Sequence, residues 1–439
     1  MPHSDQFGTA VSTTSEAALG HYDRAVWNLL TLSNDPVADV TAATTEDPSL
    51  VMGHCLTAML NLLGTDKALL PAANDAINLA KAHAKSASPR EQAHITALQA
   101  FARGGFGEAT EHWERILVET PTDVLAMYAA HQGDFFLGVS SELRDRVARR
   151  LGSLPAGWKG TGFYRGMHAF GLEEMNQYQA AEDAGRAAVG ACPRDAWAIH
   201  AVTHCMEMTA RVDEGIRFLD ERKADWAVDN FFQVHNWWHL GLYLLDQGKI
   251  AEALALYDEK IAPGSSPIDK IDGSALLWRL TIHGHAVGDR WTALANYWEP
   301  RIDDAWYGFN DTHAMMAFAA SGRRDLVERL LAVMQRTASL TSENARLTKT
   351  VSLPVARAIA AFSAGKYAEV VDLLRPIRTI AWHGGGSHAQ RDLINQTLIR
   401  AAELGGDRRL TESLLNERLA MKPASHFNRL WRERALKAA

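Results

Sequence analysis

Apolar residues recur along this chain at the i, i+3, i+4 spacing of amphipathic helices, and the alternation expected of strands is essentially absent. Nine times a helix-like apolar stretch breaks at a short polar or glycine-containing turn and a second such stretch follows. The turns fall at Gly104-Gly105, Gly138, Asn176-Gln177, Ala210-Arg211, Gly248-Lys249, Gly288-Asp289, Gly322-Arg323, Gly365-Lys366 and Gly405-Gly406. Their spacing of about 34 to 43 residues is that of repeats in which each unit is a helix pair. A first helix over 15–32 reads as a cap. Pairs then run 50–63 with 70–84, 89–103 with 107–119, 123–137 with 140–151, 162–175 with 178–190 and 195–209 with 213–221. They continue 231–247 with 251–261, 272–287 with 291–298, 310–320 with 325–334, 355–364 with 367–374 and 387–404 with 410–421. Ser88-Pro89 makes a good helix start, with serine as N-cap and proline in the first turn.

The expected fold is all-α, a tetratricopeptide-like α-solenoid of about nine helix pairs forming a single helical-repeat domain over 1–439. Within it, 1–48 is an N-terminal capping segment and 195–422 a motif-rich half. Such a chain has a concave face, on which function is normally displayed.

Composition changes this picture only by exclusion. With 47% hydrophobic and 22% charged residues the chain has an ordinary globular make-up, and a net charge of −7 leaves no basic stripe for nucleic acid. Three scattered cysteines make neither a disulfide framework nor a CxxC zinc site. No apolar run approaches the roughly 20 residues that cross a bilayer, and residues 1–20 lack the charged and apolar segments of a secretory signal. A cytoplasmic setting follows, with no nucleic-acid and no membrane partner.

Candidate chemistry concentrates on the first helices of the later pairs. His200, His204 and Glu207 stand at i, i+4 and i+7, and His235 and His239 repeat the four-residue step beside Trp237 and Trp238. Asp272, Arg279 and His283 share the next first helix, Asn310, Asp311 and His313 open another, and His388, Arg391, Asp392 and Asn395 the last. Two imidazoles four residues apart can chelate one metal ion, although the HExxH pattern that adds a general base is absent. The bland alternative is a buried layer of mutually hydrogen-bonded polar groups. The third is a metal-free pocket, with His204, His239, Asp311 and Asp392 as acid/base groups. Around them His200, Glu207, His235, Trp238, Asp272, Arg279, His313, His388 and Arg391 would bind a ligand, Arg391 as a planar fork for an anion. The sequence has no GxSxG elbow, Walker loop or GxGxxG after a strand, so neither a serine nucleophile nor nucleotide use is supported. The function expected is binding of a small molecule in this pocket; whether the protein is also an enzyme, of hydrolase or lyase type using histidine acid/base chemistry, stays open. Two alternatives stand beside it: a metal-dependent hydrolase with HxxxH ligands, and a scaffold for a peptide or protein. Cofactor identity and any protein partner or homo-oligomer stay open.

From Ala196 onward the chain resembles the tetratricopeptide-repeat protein 38 family. The stretches that carry the likeness are Ile199-His200-Ala201-Val202-Thr203-His204 with Glu207-Met208 and Glu214-Gly215, and Val234-His235-Asn236-Trp237-Trp238-His239. It continues through Asp272-Gly273-Ser274-Ala275-Leu276-Leu277-Trp278-Arg279-Leu280, Phe309-Asn310-Asp311-Thr312-His313 and Gly385-Gly386-Ser387-His388-Ala389-Gln390-Arg391-Asp392. A looser likeness reaches back to Thr13-Thr14-Ser15. The resemblance implies a closed-up helical-repeat fold and names no reaction. It also implies a small polar residue at 388, from which His388 departs.

Overall fold

A computed structural model describes residues 3–33 and 35–437. The fold is all-α and built of helical repeats, apart from a two-stranded antiparallel hairpin of His3–Ser4 and Ala10–Val11. All nine turns read from the sequence contain a residue in the left-handed region, from Ala210 at φ 57° to Gly104 at φ 81°. That conformation lets the backbone leave one helix and re-enter the next, and glycine adopts it without a steric penalty. In the residue after it, the amide reaches back five positions to a helix carbonyl, as Lys249 N–H does to Leu244 O and Lys366 N–H to Ala361 O, each at 2.9 Å. Gly288 is the exception. There the helix ends earlier, the equivalent bond runs from His285 N–H to Leu280 O behind Gly284 at φ 81°, and three residues of loop follow. The helix expected over 272–287 is therefore Pro267–Ile282, begun by a capping box in which Ser266 Oγ accepts from the Asp269 amide and the Asp269 carboxylate accepts from the Ser266 amide.

Contacts group the described residues into two compact units. The first comprises residues up to Val202 with Ala224–Phe232, and the second Thr203–Lys223 with Gln233 onward. The dividing line passes through the Ala196–Met208 helix. In the first unit, helices from Glu16–Thr31 to Tyr178–Ala191 stack in sequence over a core that includes Phe101, Phe106, Trp113, Tyr164 and Phe170. Two of its buried carboxylates, Asp123 and Asp134, are paired with cations. Asp123 caps the Val124–Leu137 helix through the Ala126 amide (2.9 Å) and holds both Arg90 (2.5 Å) and His94 (2.9 Å), while Arg146 binds Asp134 (2.7 and 3.0 Å) and Glu114 (2.6 Å).

The second unit runs from Val212–Glu221 through Gln233–Asp246, Pro267–Ile282, Gly308–Ala320 and His388–Leu404 to Arg408–Met421. A further helix, His426–Lys437, was not expected from the sequence. Trp238, Trp278 and Trp431 are buried, and the Trp278 indole N–H donates to Thr397 Oγ1 at 3.0 Å. Gly215 is required by packing, since a Cβ there would stand 2.3 Å from the Tyr243 ring, whose hydroxyl donates to Thr203 O at 2.7 Å. No helix among the described residues is long and apolar enough to cross a membrane.

Candidate functional site

Side chains on three helices supply the densest chemistry of the second unit. Ala196–Met208 carries His204 and Glu207, Gln233–Asp246 carries His235, Trp238 and His239, and Pro267–Ile282 carries Asp272 and Arg279. The four-residue step sets the His235 and His239 rings 4.9 Å apart at 86°, and the His204 ring stands 4.5 Å from His239. All three rings are buried, and each has a nitrogen within 4.8 Å of a nitrogen of the other two. A tetrahedral ion at 2.0–2.1 Å from each would need them roughly 3.3 Å apart, a difference that small side-chain rotations can absorb.

A carboxylate stands behind two of these rings. His235 Nδ1 lies 2.8 Å from Asp272 Oδ2, and His239 Nδ1 lies 3.0 Å from Glu207 Oε2. An ionised carboxylate only accepts, so Nδ1 carries the proton and Nε2 keeps its lone pair. Burial pushes the His239 imidazole below its usual range, a shift reinforced by the other imidazoles and opposed by Glu207, so the ring is neutral at physiological pH. Burial also pushes the Glu207 carboxyl up, but the His239 hydrogen bond and the Lys422 ammonium outweigh it and leave the group low. At Asp272 burial wins, and the carboxyl is raised against the pull of His235. Trp238 joins this cluster to its neighbour: its ring stacks on His235 at 5.2 Å, and the Arg279 guanidinium lies over it at 5.4 Å.

A cavity of about 80 Å³ adjoins the cluster, sharing Glu207 with it. Its polar wall includes Asp246, Arg279, Asp392, Arg418 and Lys422, and its apolar wall includes Leu242, Ile250 and Phe427. Arg418 forks onto Asp392 at 2.5 and 2.9 Å, Gln396 donates to the same carboxylate at 2.7 Å, and Lys422 lies 3.8 Å from Glu207. Because both oxygens of Asp392 are engaged, and its guanidinium partner holds the carboxyl far below the usual range against burial, it is a counter-ion rather than the acid/base group expected.

Several of the residues expected on one internal space are found together. His204, Glu207, His235, His239 and Asp272 lie together, while Arg279 and Asp392 line the adjoining cavity. His200, one turn before His204, belongs to the first unit, with its ring among Phe170, Trp197 and Phe232 at 5.1 to 5.6 Å. His313 and Arg391 line a separate cavity of about 20 Å³, where His313 Nδ1 donates to Phe309 O at 2.8 Å. The anion fork expected of Arg391 is therefore not at the histidines, because the residue stands in the first turn of His388–Leu404, lines that second cavity and donates to Gly386 O. Asp311, buried in the first turn of Gly308–Ala320, and half-buried His388 line neither cavity. Arg418, Lys422, Phe427 and Asn428 went unread. Their signal was present: Ser425 caps a helix by accepting from the Asn428 amide at 3.2 Å, and Phe427 and Trp431 follow at the i, i+4 step. No protein-family model matches this chain.

Proposed function

We propose that the second unit is a metal-dependent hydrolase of a small molecule, with a divalent transition metal on His204, His235 and His239 and the substrate in the adjoining cavity. One observation carries this reading: two of three converging imidazoles are backed at Nδ1 by a carboxylate, His235 by Asp272 and His239 by Glu207. A carboxylate at one ring nitrogen fixes the tautomer and strengthens the other nitrogen as a ligand. A divalent ion held by His204, His235 and His239 would supply Lewis acidity and an activated water for hydrolysis of an ester, amide or related bond. Such a compact and varied set of charges gives no support to an extended peptide groove. We also propose a cytosolic setting, supported by three free cysteines, and membership of the tetratricopeptide-repeat protein 38 family, supported by the motifs around His204, His239 and Asp392.

Elemental analysis of protein purified without an affinity tag is the test. About one equivalent of Zn, Fe, Mn or Ni per chain is expected, lost in His204→Ala and His239→Ala. Glu207→Gln should weaken the metal by about ten- to a hundredfold. A folded preparation that takes up none of these ions, even when each is added, sinks the reading.

A further inference from the structure

Among the described residues, Arg279 is the arginine or lysine of the cavity wall that no carboxylate contacts. Its side chain is 4% exposed, and its guanidinium donates to two backbone carbonyls, Ala275 O at 3.0 Å and Ala389 O, while lying over the Trp238 ring. Two of its five N–H donors are used in this way. The other cations of the wall are taken: Arg418 by Asp392 and Lys422 by Glu207. A buried guanidinium facing a cavity without a counter-ion is costly, and its geometry suits one planar oxyanion bound through two parallel hydrogen bonds. Burial pushes the Arg279 group down from its usual value, against the fields of Asp392 and Glu207.

The same wall limits what the anion can be. Asp246 also lines the cavity, its Oδ1 accepting from Ser425 Oγ at 2.8 Å, and no cation contacts it among the described residues. A second negative charge on the ligand would meet Asp246, Glu207 and Asp392. One charge meets Arg279. The volume of about 80 Å³, with Leu242, Ile250 and Phe427 on the wall, leaves room for a short apolar body. We infer that the cavity takes a small organic monocarboxylate, its carboxylate on Arg279 and its short aliphatic part against the apolar wall. That this carboxylate belongs to the substrate of the metal centre rests on the function proposed above; its binding at Arg279 does not.

Calorimetric titration and thermal melting of the full-length protein, both as purified and after EDTA treatment, test the inference with butyrate, butyramide, butylamine and inorganic phosphate. Butyrate should bind and raise the melting temperature in both preparations, at least tenfold more tightly than any of the other three. Arg279→Met should lose that preference. Should Arg279→Met fail to fold, the comparison of butyrate with butyramide on the wild-type protein still decides, since the two differ in charge and hardly in shape. Equal binding of butyrate and butyramide, tighter binding of phosphate, or butyrate binding unchanged in a folded Arg279→Met overturns the inference. Arg279-dependent butyrate binding to a protein that takes up no metal would uphold it while removing the hydrolase reading.

Discussion

At the scale of single residues, burial decides more than charge type. Asp195 caps the Ala196–Met208 helix through the Ala198 amide at 3.0 Å, yet no cation contacts it among the described residues, and burial pushes its carboxyl up to about 7 against that helix-cap bond. Between its ordinary value of 3.8 and about 7 the folded chain keeps a proton that the unfolded chain has released. Stability from this group is therefore full below pH 4, falls as pH rises through that window, and is flat above it. Asn caps a helix as well as Asp and has no proton to lose. Asp195→Asn should leave stability at pH 4 nearly unchanged and raise it at pH 8 by on the order of 2 kcal/mol, read from urea unfolding at the two pH values. Much of the site was legible at this scale. The four-residue step that joins His235 to His239 is local, so it can be read directly from sequence. Which arginine would face the cavity could not be read that way. Arg279 and Arg391 both stand on first helices beside candidate carboxylates, and only packing places one over Trp238 and the other beside His313.

At the scale of the element, the turns were the most legible feature, because each needs a residue that tolerates a left-handed backbone and, at every turn but that of Ala210, glycine or asparagine advertises it. Helix starts hidden behind loop-like residues were read less well. Ser266 and Pro267 look like the end of a loop, yet with Asp269 they form the cap that begins the helix carrying Asp272 and Arg279. The same backbone logic separates two kinds of glycine. Gly20 lies inside the Glu16–Thr31 helix with nothing within 4 Å of a built Cβ, so Gly20→Ala should raise stability by about 0.5 to 1 kcal/mol. Gly365, at φ 71°, has equal room, but alanine there pays the left-handed penalty, and Gly365→Ala should lower stability by about 1 kcal/mol. Gly215→Ala should cost more, about 1 to 3 kcal/mol, because the Tyr243 ring must move and its bond to Thr203 O with it. Melting the three variants beside the wild type checks both the order and the signs.

At the scale of the whole molecule, the two units differ in what they bury. The first buries ion pairs around Asp123 and Arg146, and the second buries the histidine cluster and the charged cavity. For Asp123, burial alone would raise the carboxyl, but His94 and Arg90 hold it far below the usual range. Its contribution is therefore present above pH 4 and lost as pH falls below it, and Asp123→Asn should flatten the acid limb of the stability profile while lowering stability at pH 7. If the metal reading holds, removing the ion with EDTA should speed hydrogen exchange in Gln233–Asp246 and Pro267–Ile282 and leave Val124–Leu137 unchanged. Equal loosening of all three helices would count against a centre on the histidines. The cavity wall also has an order in time. Glu207 and Asp246 emerge from the ribosome well before the residues opposite them, Arg418, Lys422 and Ser425, the Asp246–Ser425 bond closing a separation of 179 residues. A chain cut short ahead of Arg418 would keep His204, His235, His239 and Arg279 while losing Arg418, Lys422 and Phe427 from the cavity wall, so the pocket is finished only after its histidines are in place.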